Sequence, residues 1–376
     1  MRSALMDVVA TIRETPPAHT VTAPVFTPTS RADGKLLDML DMPSRRLIAA
    51  TVVIAAAAAS LNAQRPAASA AHYAAGERVL LDAHNCYNHD ELGRALATGT
   101  PLAIEQDLVW SQDPSSGAFR SVVSHGGTDV QTAPDFERYF FDKVRPVMEK
   151  ALAENRRDDW PLITLNLDFK TNEPEHHAFV LALLHKYQAW LTTAVRTSTP
   201  GVPAPLTLGP MLVLTGSNDQ QQVDFHDIVP AGEDLLLFGA INDAVVPGAT
   251  ATEKAANYPA LPAETVIPVK VTNYRRWVNF PWAVVEAGGQ GQAGDWTATD
   301  QARLRALVAR AHVMQLWIRF YTLNGEDGKP AGGYNFGSAA AALDRWKAAI
   351  DAKVDFLATD QYEAFARVRA AQLGTQ

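Results

Sequence analysis

The sequence predicts a (β/α)8 barrel, and three observations carry that prediction. From Arg78 onward, short β-branched or apolar runs alternate with segments of helical period, which is the pattern of parallel βαβ units. About eight such repeats over about 300 residues suit a closed barrel better than an open doubly wound sheet. No Gly-x-Gly-x-x-Gly follows the first strand, so a dinucleotide-binding fold finds no support.

The strand-like runs are 79–83, 102–110, 121–124, 162–169, 211–214, 235–238, 284–286, 316–322 and 354–358. Between them lie amphipathic helices. One places Phe136, Phe140, Val144, Val147, Met148 and Leu152 on a single stripe. The next opens at Pro174, a residue favoured in the first helical turn, and carries Phe179, Val180, Leu183, Leu184 and Tyr187. Later stripes are Leu304, Leu307, Val308 and Ala311, then Leu343, Trp346 and Ile350. Two stretches, 192–210 and 243–279, are rich in Ala, Pro and Thr and read as long loops on a barrel rim.

The first 76 residues stand outside that pattern. Residues 1–41 are Pro/Thr-rich with no sustained period. Met42-Pro-Ser-Arg-Arg-Leu then leads into an apolar run, 47–59, and small residues as far as Ala63. A basic start, an apolar middle of this length and a small-residue end describe a signal peptide over 42–63. The run is shorter than the about 20 apolar residues of a membrane span. Either Met42 is the true start and 1–41 is untranslated sequence, or the chain carries an unusual extension before its signal. Arg45-Arg46 also permits twin-arginine export. A linker, 64–76, precedes the barrel of 77–376. The expected location is secreted or periplasmic, with no stable membrane span after cleavage.

Composition narrows the function. The 376 residues hold 33 Lys+Arg against 41 Asp+Glu, a net charge of −8, with 47% hydrophobic residues. These fractions exclude a disordered, collagen-like or multi-span membrane protein. An acidic chain lacks the basic face that displaces counterions, which argues against a nucleic-acid partner. One cysteine, Cys86, forbids an internal disulfide and a cysteine-rich metal site, and reads as a small buried hydrophobe.

Polar residues cluster where strands end. The first strand stops at His84-Asn85. The second carries Glu105 and Asp107, which period-2 geometry puts on one face. If that face is the barrel interior, two unpaired anions are costly there, and a divalent cation removes the cost; outward-pointing or base-paired carboxylates are the alternative. A further strand ends at His125-Gly126-Gly127, and another presents Asn166, Asp168 and Lys170 on one face. Central barrel strands normally read apolar, so these alternating polar residues stand out. Two histidines for proton transfer, a hard oxygen-rich set for Ca²⁺ or Mg²⁺ and a lysine for phosphate charge meet the needs of phosphodiester cleavage.

Other residues say less. Arg319 shares strand parity with Trp317 and Tyr321, and either grips phosphate or pairs with a structural carboxylate. Glu286 reads as a rim carboxylate, His89 as surface, and His226-Asp227 as a loop or cap. Trp277, Phe280 and Trp282 form an aromatic cluster in a long loop, either packed beneath it or touching lipid headgroups.

His84-Asn85, Glu105-x-Asp107 and His125-Gly126 resemble, in order and spacing, the active-site motifs of the phosphatidylinositol-specific phospholipase C-like phosphodiesterase superfamily. Val354-Asp-Phe-Leu-Ala-Thr-Asp-Gln and Arg319-Phe-Tyr-Thr-Leu-Asn324 look like the last two barrel strands of its glycerophosphodiesterases. The resemblance covers about residues 77–365. It implies His84 and His125 as the acid–base pair, Asn85, Glu105, Asp107 and Asp168 as metal ligands, and Lys170 as a phosphate contact. The activity implied is phospholipase C-like cleavage of a lipid or inositol phosphodiester, or a glycerophosphodiesterase or sphingomyelinase D-like reaction instead. The chain departs from the glycerophosphodiesterases after the first histidine, where Asn-Cys-Tyr-Asn replaces their Arg-Gly and Glu-Asn-Thr. A barrel that binds a phosphorylated ligand without turnover is the reading from another class.

Overall fold

The computed structural model describes residues 74–84, 89–242 and 244–374. The expected extension and signal over 1–63, together with Asn85 and Cys86, lie outside the described residues. Eight parallel strands form the barrel: Leu80–Ala83 (β1), Leu102–Gln112 (β2), Ile163–Phe169 (β3), Met211–Thr215 (β4), Phe238–Ile241 (β5), Arg275–Pro281 (β6), Trp317–Tyr321 (β7) and Phe356–Thr359 (β8). They pair in sequence order and the circle closes, because β1 bonds both β8 and β2. The principal helices are His89–Ala97 (α1), Asp142–Glu154 (α2), Pro174–Lys186 (α3), Ala298–Val313 (α4), Ala339–Ala352 (α5) and Tyr362–Leu373 (α6), with shorter helical turns after β4 and β5. Local chemistry sets their starts. Pro174 occupies the first turn of α3. Thr297 opens α4 with a capping box, its hydroxyl accepting from Asp300 N–H while the Asp300 carboxylate accepts from Thr297 N–H.

Strand alternation sorts the core into two parts. Leu81, Ile104, Leu165 and Val213 face outward and pack beneath the helices. The opposite parity faces inward, and along the axis it changes character. At the end where the strands begin, Leu80, Ala103, Leu212, Leu214, Phe238, Trp277, Trp317 and Phe356 form a separate apolar cluster. Higher up, the inward positions are Asp82, Glu105, Asn166 and Arg319, all buried. The barrel is therefore hydrophobic below and charged above.

Three expectations are corrected here. The run 284–286 is no strand: Trp282–Val284 is a single helical turn, and the sixth strand is Arg275–Pro281, inside a stretch read as loop. The run 235–238 divides, with Asp234–Leu235 in a small antiparallel sheet and the barrel strand beginning at Phe238. That small sheet also takes Thr193–Val195 and Leu206–Thr207 from the other supposed loop. Its Ala194, Leu235 and Leu206 pack on the lower interior cluster, so the sheet closes the barrel where the strands begin.

Candidate active site

The charged layer opens upward into a cavity of about 280 Å³ at the C-terminal ends of the strands. His84, Glu105, His125, Asn166, Asp168, Lys170 and Arg319 all line it, with Trp277, Asn279, Tyr321 and Tyr334 among the other walls. Asp107 is buried beside them and contacts Lys170. Every described residue that the sequence nominated thus converges on one place.

The route by which His125 arrives depends on β2 being long. Strand β2 continues past the rim to Gln112, where the Asp113 carboxylate accepts from the Ser115 and Ser116 N–H groups and turns the chain. The strand Phe119–Val123 returns antiparallel, pairing Val123 with Leu108, and Ser124 N–H bonds Asp107 O at 3.0 Å. His125 therefore emerges at the level of the carboxylates. Gly126 and Gly127 follow with φ of 106° and 81°, a turn that residues bearing a Cβ rarely adopt.

His84 leaves the end of β1. Its Nδ1 lies 2.7 Å from Asp360 Oδ1, and its carbonyl accepts the Tyr362 hydroxyl. Asp360 is held in turn by Asn324, whose Nδ2 donates to Asp360 Oδ2 at 2.7 Å and whose Oδ1 accepts from Asp360 N–H at 2.8 Å. The Tyr334 ring meets the His84 ring edge-on at 5.4 Å between centroids. Burial lowers the His84 pKa, but the hydrogen bond to Asp360 and the charges of Glu105 and Asp360 outweigh it, and the net shift is upward. His125 moves the other way, pushed down first by partial burial and then by the Lys170 charge.

Glu105, Asp107 and Asp168 each offer an oxygen, and the three lie within 4.8 Å of one another. Lys170 Nζ sits 2.7 Å from Asp168 and 3.2 Å from Asp107. Even so, burial and the Glu105 charge raise the Asp107 pKa to about 7. Beneath them, Arg319 is clamped by Asp82 and Glu105 and donates to Asn279 Oδ1 at 3.0 Å. It faces inward, and three of its five N–H groups are held by these partners, so its charge balances the buried carboxylates while its head still lines the cavity. Counted formally, Asp82, Glu105, Asp107 and Asp168 stand against Arg319 and Lys170, leaving two negative charges in excess. Among the described residues, the buried Asp82 Oδ1 has no hydrogen-bond partner.

The sequence did not nominate Asp82, Asn279, Asn324, Asp360, Tyr321 or Tyr334. Asp82 carried a usable signal, a lone charge on the inward parity of an apolar strand; Asp360 and Asn324 lie in the two segments that resemble glycerophosphodiesterase strands, but nothing local marked them as partners of His84, to which only closure of the barrel brings them. Three of the lesser residues resolve as structure. Glu286 is buried in a bidentate pair with Arg345, with Nε–Oε2 at 2.9 Å and Nη2–Oε1 at 2.6 Å, and accepts from Trp282 Nε1 at 2.6 Å. His226 is buried against Asp227. Trp277 is no loop aromatic; it stands inside the barrel and donates to Thr215 O.

No protein-family model and no curated protein matches this chain. Among solved structures it is similar to a glycerophosphodiester phosphodiesterase from Parabacteroides distasonis ATCC 8503, at 11% identity and a TM-score of 0.40, covering 79% of this chain and 98% of that one. A glycerophosphodiester phosphodiesterase from Agrobacterium tumefaciens str. C58 gives 12% and 0.37, over 78% and 99% of the two chains. A calcium-dependent phosphoinositol-specific phospholipase C from Pseudomonas sp. gives 14% and 0.44, over 78% and 92%. At these identities and scores the functional reading falls to the site itself.

Proposed function

We propose that the protein is a metal-assisted phosphodiesterase, using His84 and His125 as its proton-transfer pair. The observation that carries this reading is a cavity at the mouth of the barrel lined by two histidines, Glu105, Asp168 and Lys170, with Asp107 buried against that lysine and clustered with the other two carboxylates. The donor set fits a hard divalent cation, Ca²⁺ or Mg²⁺: it is all oxygen, and the carboxylates around it exceed the neighbouring cations by two formal charges. Glu105, Asp107 and Asp168 would hold the ion, with Asn85 as the further ligand implied by its motif. When bound there, a cation would supply Lewis-acid polarisation of the phosphoryl oxygens.

The remaining work belongs to side chains. His84, its pKa shifted upward, is the member of the pair better suited to give a proton to the leaving oxygen. His125, its pKa lowered, stays neutral and suits removal of a proton from the attacking hydroxyl. Asp360 holds the His84 ring in one orientation. Lys170 adds positive charge where phosphate oxygens would lie. Tyr321 and Tyr334 line the cavity with aromatic rings, which suits a polyol headgroup and favours phospholipase C-like cleavage of an inositol or lipid phosphodiester. The Asp168–Lys170 pair favours a glycerophosphodiesterase or sphingomyelinase D-like reaction as the second reading. The segment 42–63 supports export.

The test is hydrolysis of inositol, glycerol, choline and nitrophenyl phosphodiesters by the purified protein with EDTA, Ca²⁺ or Mg²⁺. Release from one ester that requires metal supports the proposal and identifies the headgroup. Folded protein that turns over none of them with either ion overturns it, in favour of a phosphate-ligand binder.

A further inference from the structure

A second cavity, of about 460 Å³, lies at the other end of the barrel, where the small sheet closes the interior. Its walls include Ala75, Pro205, Leu206, Val271 and Trp317, and its polar groups are Arg276, His312 and Gln315; none of its lining residues is acidic. His312 is already engaged, with Nε2 at 3.0 Å from Asp355 Oδ2. Asp355 is further satisfied by the N–H groups of Gly76 at 2.6 Å and Ile318 at 2.9 Å.

Arg276 is the unusual member. Strand β6 bonds β5 through Arg275 opposite Gly239 and Trp277 opposite Ala240, so Arg276 is the extra residue of a bulge. A bulge turns a side chain away from the alternation of its strand. Arg276 is only 8% exposed, and its guanidinium lies 5.2 Å from the centroid of the Phe238 ring. Nε donates to Asn273 O at 3.2 Å and Nη2 to Ala204 O at 2.9 Å, which uses two of its five N–H groups. Among the described residues no carboxylate forms an ion pair with it. Burial alone pushes its pKa down to about 10, with no acidic neighbour opposing the shift. Buried ions in proteins are normally paired, because desolvating an unpaired charge is costly.

We propose that this cavity is a second ligand site, in which Arg276 receives the carboxylate of a small organic acid whose apolar body lies against Trp317, Pro205 and Val271. The planar fork of a guanidinium matches a carboxylate through two parallel hydrogen bonds. One uncompensated cation balances a monoanion, whereas a phosphate dianion would need a second. The cavity volume suits a small molecule and not a polymer. The competing role for Arg276 is that of a strut joining the loops at Ala204 and Asn273.

Titration calorimetry and thermal denaturation of the whole protein with benzoate, benzamide and benzylamine separate the two. Benzoate at about 20 mM binds and raises the melting temperature while the neutral and cationic analogues do not. Arg276→Met weakens benzoate binding about tenfold or more, Arg276→Lys weakens it less, and Lys170→Met at the catalytic mouth leaves it unchanged. Should Arg276→Met fail to fold, Ala75→Trp, which narrows the cavity with Arg276 intact, shows the same loss. Wild-type protein that ignores benzoate, or Arg276→Met that binds it as wild type does, overturns the site and leaves the strut.

Discussion

At the scale of single residues, the two histidines and the arginine beneath them face opposite demands. His125 sits at the open mouth, where a truncated side chain is replaced by water, whereas His84 is largely enclosed and bonded to Asp360. Alanine at either position is expected to lower turnover by about 10²–10⁴-fold, with little change in melting temperature at His125; a loss below tenfold at both would remove them from the chemistry. Arg319 is the reverse case, fully enclosed between Asp82 and Glu105. Its Met variant leaves two carboxylates facing each other in the interior, and the expected cost is about 3–5 kcal/mol of stability. Replacing both carboxylates by amides in the same background returns much of that, because the cost lies in the orphaned charges. Chemical denaturation of the single and triple variants distinguishes this from lost packing. These positions also show what can be read from sequence: Glu105, Asp107, Asn166, Asp168 and Lys170 stand out as polar residues in strands that should be apolar. Asp360 and Asn324 give no such sign, since loops are polar anyway and nothing local reveals that they reach His84.

At the scale of elements, strands were legible where their outward positions kept an apolar alternation, as in β2 and β3 despite the polar residues they turn inward, and illegible where arginines, a bulge or a proline interrupted the run. Strand β6 reads Arg-Arg-Trp-Val-Asn-Phe-Pro, with a bulged arginine and an inward asparagine, and so looks like loop. Val284-Val285-Glu286 looks like a strand because its valines are buried, though in a turn, and its glutamate is neutralised by Arg345. The hairpin that delivers His125 is fixed from outside by α3. There His176 Nε2 lies 2.8 Å from Ser121 Oγ and Nδ1 lies 3.0 Å from Thr171 Oγ1, while the Trp110 ring stacks on the imidazole at 5.3 Å. Burial pushes the His176 pKa down to about 4, from an ordinary value near 6.5. Between these values the unfolded chain binds the proton and the folded protein does not. The stabilising contribution is therefore complete above pH 6.5 and is lost as pH falls toward 4, by up to about 3 kcal/mol. His176→Gln, which keeps a hydrogen-bonding side chain but cannot titrate, is expected to flatten the pH dependence of melting across that window. An unchanged slope would mean that other groups set acid stability.

At the scale of the whole molecule, the barrel divides along its axis into an apolar half and an ionised half. Trp277, Trp317 and Phe356 interlock below, and four carboxylates gather around two cations above. The lower half supplies cohesion: truncating Phe356 to Ala is expected to cost about 3–5 kcal/mol through the cavity it leaves. The upper half opposes folding, because its excess negative charge is brought together only when the strands close. The raised pKa of Asp107, about 7, is the local sign of that strain. A cation that binds the closed barrel and not the unfolded chain must then stabilise the entire fold, whatever the substrate is. At a hundredfold excess over its dissociation constant the gain is about 2.7 kcal/mol. A barrel of about 300 residues gains about 1.5 °C per kcal/mol, so Ca²⁺ or Mg²⁺ should raise the melting temperature by about 4 °C over EDTA. The Asp107→Asn, Asp168→Asn double variant removes two of the four charges together with two of the three carboxylates proposed as ligands. It should melt higher than wild type in EDTA and gain nothing from either ion. A wild type indifferent to both ions would mean that the carboxylates are neutralised by protons and by Lys170 alone, and the metal would have to be struck from the mechanism.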